Sequence, residues 1–299
     1  MTDTSKAHIS LFSAQLIYAL NYSIAKDLMP GHIGPLALVL LRISGAGLLF
    51  WILSLISKPE KLHKGDLKKM AILAIFGVFV NQVFFIYGLS ITRPINSAII
   101  MISNPIMVLL FTMIAFKERI TIMKVGGLIL GIAGAVTLLL FKGNFEFGSD
   151  TMLGDAMTVV NSASWAVFVV MAKPYMQKYQ TVTVMKWIFL FGCIYMTPFG
   201  ISDIGKTDWN MSTQTVSAIV FVVVATTFLA YLLNTYALKA LSSSVVSMYI
   251  YFQPFLATIF AVILGKDNLT SIKIISAILI ITGVYLVSYR PKRVKDKTE

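Results

Sequence analysis

Ten stretches of about 17 to 25 mostly apolar residues, each long enough to cross a hydrocarbon layer as a helix, follow one another with short polar joints between them. They are Ile9–Ala25, Ile33–Ser57, Met70–Leu89, Ile95–Phe116, Ile122–Phe141, Leu153–Ala172, Val182–Ile201, Val216–Leu238, Val245–Leu264 and Ile272–Ser288. A segment in lipid must satisfy its own backbone, which restricts it to a helix or a closed barrel. These stretches are too long and alternate too little for barrel strands. The expected fold is an all-α polytopic membrane protein with ten transmembrane helices. Composition agrees, with 57% hydrophobic and 13% charged residues in 299 and a mean hydropathy of +0.81; a soluble domain carries about twice that charge. The first stretch contains Gln15 and Asn21 and no small-x-small cleavage site follows it, so it reads as a retained span. Turn formers mark the joints, as in Met29-Pro30-Gly31 and Gly143-Asn144.

The segment Tyr87–Phe141 returns 149 residues later as Tyr236–Ser288. Without a gap, Pro105 falls on Pro254, Phe111 on Phe260, Lys117 on Lys266, Thr121 on Thr270, Lys124 on Lys273 and Gly134 on Gly283. Ten of the 35 positions from Asn104 to Leu138 are identical, where unrelated apolar helices share roughly one in ten. Residues 8–141 and 153–288 therefore read as two copies of one five-helix unit, followed by a basic tail, 289–299. Five is odd, so the second copy inserts upside down and the repeats are inverted. With the N-terminus in the cytoplasm, eighteen of the 25 lysines and arginines fall inside, which places both termini there. The net charge of +12 is then an orientation signal and a lipid-headgroup contact, and no nucleic-acid partner is expected.

An aromatic near the middle of the first helix of each unit (Tyr18, Trp165), Leu41-Arg42 in the second, Asn104-Pro105 and Gln253-Pro254 in the fourth, an acidic residue after it (Glu118, Asp267) and a glycine-bearing fifth helix form one pattern. Over nearly the whole chain it resembles the EamA-type permeases of the drug/metabolite transporter superfamily. The resemblance implies ten helices with cytoplasmic termini and a central cavity lined by helices 1, 3, 4, 6, 8 and 9. It also implies export or exchange of small metabolites such as amino acids across the inner membrane. Tyr18 stands where many members carry Trp, and Asp267 where Glu is usual; both departures bear on substrate more than on family.

Polar groups within a span mark a cavity or a packed seam. Asn161, Trp165 and Phe168 share one face of helix 6 at i, i+4 and i+7; offset by 147, they match Ala14, Tyr18 and Asn21 in helix 1. Thr227, Tyr231 and Asn234 have the same spacing in helix 8 and map, at offset 149, onto Val78, Gln82 and Phe85 in helix 3. These aromatic and amide faces are the expected substrate wall, with hydrogen bonding between helices as the plainer alternative. Asn104 and Gln253 join them, with Ser97, Tyr249 and Tyr251 ranked lower. Pro105 and Pro254 are expected hinges or static bends, since each frees the carbonyl four residues before it, Met101 or Ile250. Arg42 lies ~9 Å into helix 2 at 1.5 Å per residue. With Lys186 it could attract a substrate carboxylate, but snorkelling to the interface is the favoured expectation. Glu118 and Asp267 read as structural carboxylates near the helix caps Thr121 and Thr270. Gly127 and Gly131, reinforced by Gly134, admit a close neighbour within the chain or across a homodimer, so monomer and homodimer both stand.

All thirteen acidic residues lie in loops or near helix ends, leaving a proton relay without a mid-membrane carboxylate. His8, His32 and His63 have no metal spacing, Cys193 is alone, and neither a phosphate-binding loop nor GxSxG is present. No cofactor, metal site or enzymatic activity is expected; the partners are a small-molecule substrate and the lipid bilayer. The leading expectation is a secondary transporter working by alternating access. The alternatives are a membrane-embedded sensor or enzyme on such a bundle, or another cargo such as nucleotide sugars or drug-like compounds.

Overall fold

The computed structural model describes residues 2–29, 31–117, 121–140, 150–263 and 270–288. Glu118, Lys266, Asp267, Pro30, Gly143-Asn144 and the basic tail lie outside them. All regular structure among the described residues is helical: α1 (Asp3–Leu28), α2 (Pro35–Ile56), α3 (Lys64–Ile91), α4 (Pro94–Phe116), α5 (Ile122–Leu140), α6 (Met152–Lys178), α7 (Thr181–Lys206), α8 (Thr213–Ala237), α9 (Ser243–Phe260) and α10 (Ser271–Ser288). Nine of these, α2 to α10, are long and apolar enough to cross a membrane. At 26 residues α1 has the length, but His8, Gln15 and Asn21 lower its hydropathy, so the described residues give nine such spans and not ten.

Local chemistry sets several starts. Pro35 and Pro94 each occupy the first turn of a helix, where the missing N–H costs nothing. Ser212 and Ser242 accept from the backbone N–H of Thr215 and Val245 at 3.1 and 3.3 Å, capping α8 and α9. Contacts between joints fix an up-and-down course. Where α2 leads into α3, Asp66 accepts from Lys178 at the end of α6 at 2.6 Å, and Glu60 accepts from the Gln180 backbone at 2.8 Å. These joints share the face at which α1 starts, called the first face below. On the second face Thr92, before α4, donates to Asp155, in the first turn of α6, at 2.5 Å. Hence α1 starts at one face and α6 at the other, and the two halves run in opposite senses.

The halves interlock around a pseudo-twofold. α1 packs on α8 and α9 of the other half, and α6 on α3 and α4. α2 pairs with α7 at one end of the molecule and α5 with α10 at the other. The α5–α10 seam shows the symmetry by position. A Cβ on Gly127 would stand 2.6 Å from the Gly283 carbonyl, and one on Gly134 2.6 Å from the Ser276 carbonyl. At offset 149 each of these contacts is the image of the other. The glycine motif thus serves an approach within the chain.

The repeats also share their irregularities. α3 widens into a π-helical segment at Ile75–Val80 and α8 at Phe221–Leu229. α4 breaks after Met101 and resumes at Asn104, while α9 tightens to a 3₁₀ turn at Tyr249–Tyr251. Each break directly precedes Asn104-Pro105 or lies beside Gln253-Pro254, where proline withholds a donor.

The close seam leads to a stability prediction. Gly283→Ala puts a methyl 2.5 Å from the Gly127 carbonyl and costs about 1–3 kcal/mol as overpacking. Gly126→Ala, which meets nothing within 4 Å, holds stability or raises it by up to about 1 kcal/mol through helix propensity. Thermal unfolding of the two variants in detergent separates them.

Candidate substrate cavity

Two three-helix groups, α1/α8/α9 and α3/α4/α6, are each tied internally. In the second, Asn161 Nδ2 donates to the Asn81 carbonyl at 2.7 Å and Asn81 Nδ2 to that of Asn161 at 3.4 Å. Asn104 Nδ2 donates to the Ser162 carbonyl at 2.8 Å, and Ser164 to that of Phe76 at 2.6 Å. Asp155 accepts from Thr92, Asn96 and Thr151. In the first group, Gln253 Nε2 donates to Gln15 Oε1 at 2.7 Å, and His8 Nδ1 lies 2.6 Å from the Tyr249 hydroxyl.

The groups also meet each other, Ser243 of α9 donating to the Val169 carbonyl of α6 at 3.2 Å. Midway, the Tyr231 hydroxyl lies 2.9 Å from Asn81 Oδ1 and 3.0 Å from the Gly77 carbonyl, and Tyr251 donates to the Ile102 carbonyl at 3.2 Å. Trp165 stands edge-on to Tyr231 with ring centroids 5.3 Å apart. Toward the second face, Lys26 of α1 reaches across to the end of α3 and donates to the carbonyls of Leu89, Ser90 and Thr92, each at 2.9 Å. Toward the first face, Lys173 of α6 donates to the Leu238 carbonyl at 2.5 Å and to that of Leu241, at the end of α8. These are symmetry mates: Lys26 and Lys173 differ by 147, and Leu89/Thr92 and Leu238/Leu241 by 149. Sequence reasoning counted both lysines only as topological charges, although each follows its helix's central aromatic by eight residues.

Between the groups lies a cavity of roughly 660 Å³, its open mouth included. Of the residues expected on a substrate wall, Tyr18, Asn21, Phe85, Asn104, Asn161, Trp165, Tyr231, Asn234 and Gln253 line it. Four stand elsewhere. Phe168 is buried with its ring against Gly77 of α3, Thr227 donates to the Val222 carbonyl, Tyr249 pairs with His8, and Gln82 is buried outside the lining. A π-helical segment accounts for one of these placements, that of Thr227. In α3, Asn81, Gln82 and Phe85 lie together in the regular helix beyond Ile75–Val80. Asn81 and Phe85, at i and i+4, share the cavity face and Gln82 turns from it, while Val78 meets Gly192 of α7. In α8, Thr227 lies inside the widened segment and only Tyr231 and Asn234, beyond it, reach the cavity.

The lining also includes Gln15, Tyr22, Met101, Ser247 and Ile250. Tyr22, Met101, Ile250 and Gln253 border in addition a second, mostly apolar chamber of roughly 730 Å³ between α1, α4, α5 and α9, which continues the first. Arg42 completes the wall, and here the expectation of snorkelling fails: its side chain is 3% exposed and faces the cavity. α2 packs on α3, α7 and α8, and this rotational setting, not depth along the helix, decides where the guanidinium points. Its counterpart Lys186 lies 4.9 Å above the Trp51 ring. Asn21 Oδ1, Asn104 Oδ1 and Asn161 Oδ1 are buried without partners among the described residues. A wall of rings and spare amide oxygens suits a compact polar solute with an apolar part.

A water-filled cavity makes a thiol accessible. In a Cys193→Ala background, Ile250→Cys on the wall reacts with a water-soluble thiol reagent at least about tenfold faster than Thr226→Cys, which has no exposed surface.

Comparison with known proteins adds a family to this geometry. The model of the EamA-like transporter family matches residues 5–140 and 152–289. An uncharacterized transporter of Archaeoglobus fulgidus is 28% identical over 95% of this chain and 98% of its own. The uncharacterized transporter YyaM of Bacillus subtilis is 23% identical over 94% and 93%. A WAT1-related protein of Arabidopsis thaliana is 24% identical over 95% and 86%. One crystal structure shares the fold, with a TM-score of 0.76 at 20% identity over 95% of this chain and 96% of that one.

Proposed function

Because the chain belongs to the EamA-like transporter family, a family of transporters and not enzymes, we propose that it is a secondary carrier of small metabolites working by alternating access. Amino-acid-like solutes are the favoured cargo, exported or exchanged across the inner membrane. Residues 8–141 and 153–288 are its two repeats, α1 is its tenth span, and both termini are cytoplasmic, as the distribution of Lys and Arg favours. The wall is formed by the lining residues named above, with Pro105 and Pro254 at the bends.

The observation that carries this reading is the matched pair of lysine ties. Each three-helix group holds together through its own packing and hydrogen bonds, and Lys26 and Lys173 bridge the groups at opposite faces. Releasing one tie while keeping the other opens the cavity to one side only, which is the geometry alternating access requires. In this reading Lys26 latches the outer gate and Lys173 the inner one. Charge-assisted hydrogen bonds are worth about 1.5–3 kcal/mol, so losing one shifts a two-state equilibrium by about tenfold or more.

Two measurements test the proposal. Untargeted metabolite profiling of medium from overproducing cells identifies the solute, and Trp165→Ala and Tyr231→Ala, if folded, transport it at least about tenfold more slowly in proteoliposomes. Wild-type flux in both sinks the assigned wall. In the Ile250→Cys background, Lys26→Met raises labelling by an impermeant reagent from the outer side and Lys173→Met from the inner side. Equal labelling from both sides in each variant removes the latch mechanism.

A further inference from the structure

Every buried or half-buried cation described above has a visible answer except one. Lys26 gives its three donors to three carbonyls, Lys173 donates to the carbonyls ending α8, and Lys186 rests on an indole ring. Arg42 is buried, yet its Nε and Nη1 have no hydrogen-bond partner among the described residues. The titratable groups acting on it are Tyr18 and Tyr231, both neutral phenols at physiological pH. No carboxylate lines the cavity among the described residues. The buried acid Asp155 is engaged by Thr92, Asn96 and Thr151 near the second face.

A guanidinium out of water and unpaired is costly, and a fold that merely needed an apolar or amide side chain there would not carry it. Its planar fork matches the two oxygens of a carboxylate. The surrounding wall offers what the remainder of such a molecule needs, with the Trp165 and Phe85 rings for an apolar part and the Asn21 and Asn161 amide oxygens for donors. We propose that Arg42 is the anion subsite of this cavity and takes the carboxylate of the transported solute. The proposal deepens the carrier reading and rests on it for the word transported; the anion subsite itself does not.

The test is therefore an equilibrium measurement on purified protein in lipid nanodiscs. Phenylacetate and isobutyrate are titrated against phenylacetamide and isobutyramide, which keep the shape and lose the charge, with sodium phosphate as an inorganic anion. Binding is followed by calorimetry. In the wild type the carboxylates bind at least about tenfold more tightly than their amides. Arg42→Gln abolishes that preference and, having lost an uncompensated charge, melts no lower than the wild type. Arg42→Lys retains the preference at lower affinity, since it keeps the charge but not the fork.

Equal binding of acids and amides, or an undiminished preference in Arg42→Gln, overturns the proposal. A clear fall in the melting temperature of Arg42→Gln with unchanged ligand preference shows a structural arginine instead. Phosphate binding as tight as carboxylate overturns the assignment to an organic solute. Charge-selective binding without flux in proteoliposomes leaves the subsite standing and removes the carrier reading, whereas flux without charge selectivity does the reverse.

Discussion

The last carbonyls of a helix lack a donor from their own backbone, and inside a bundle water does not reach them readily. Much of this architecture follows from how the ends of α3 and α8 are satisfied. Each turns sharply into the next helix, so its carbonyls converge, and each receives one lysine ammonium from the first helix of a half. Lys26 stays within its own half to do so, as does Lys173. Yet the first helices are exchanged, α1 packing in the group of α8 and α9 and α6 in that of α3 and α4. A bond local in sequence therefore becomes a bond between groups in space. That exchange places the cavity at the centre, walled by six helices and by Arg42 of α2, and leaves α2 with α7 and α5 with α10 as paired flanks.

The coarse fold was legible because its causes are written in composition and period. Apolar length gave the helices, and the recurrence around Pro105 and Pro254 gave the duplication. The glycine motif announced a close contact, and Gly127 meets Gly283. Much of the wall was legible too, because Tyr18, Trp165, Tyr231 and the amides are polar or aromatic where lipid would reject them. The residues that stand off the cavity do so for different reasons. Periodicity assumes a regular helix, and Thr227 lies within the π-helical turn Phe221–Leu229. Gln82 is next to Asn81, which shares the cavity face with Phe85 at i and i+4. Arg42 was misjudged because rotation about the helix axis depends on partners that hydropathy does not name.

The electrostatic layout sorts the cations by what answers them. At the surface Lys178 pairs with Asp66, at the margins lysines meet carbonyls or a ring, and in the cavity the single arginine meets neutral groups. Burial deepens along that series while protein-supplied compensation declines. Among the described residues the bundle thus leaves its most deeply buried cation facing the cavity without a counter-charge from the protein, where distance from bulk water strengthens any charge interaction.

The widened turns of α3 and α8 bear on what the two halves share. A π-helical insertion disturbs packing on every face it passes. Here the segments overlap when displaced by 149 residues, although the sequences within them, IFGVFV and FVVVATTFL, have diverged. The irregularity therefore belongs to the repeated backbone and not to particular side chains. The pseudo-symmetry thus extends to a departure from regular helix geometry, in the same helix of each half, and does not depend on which residues occupy it.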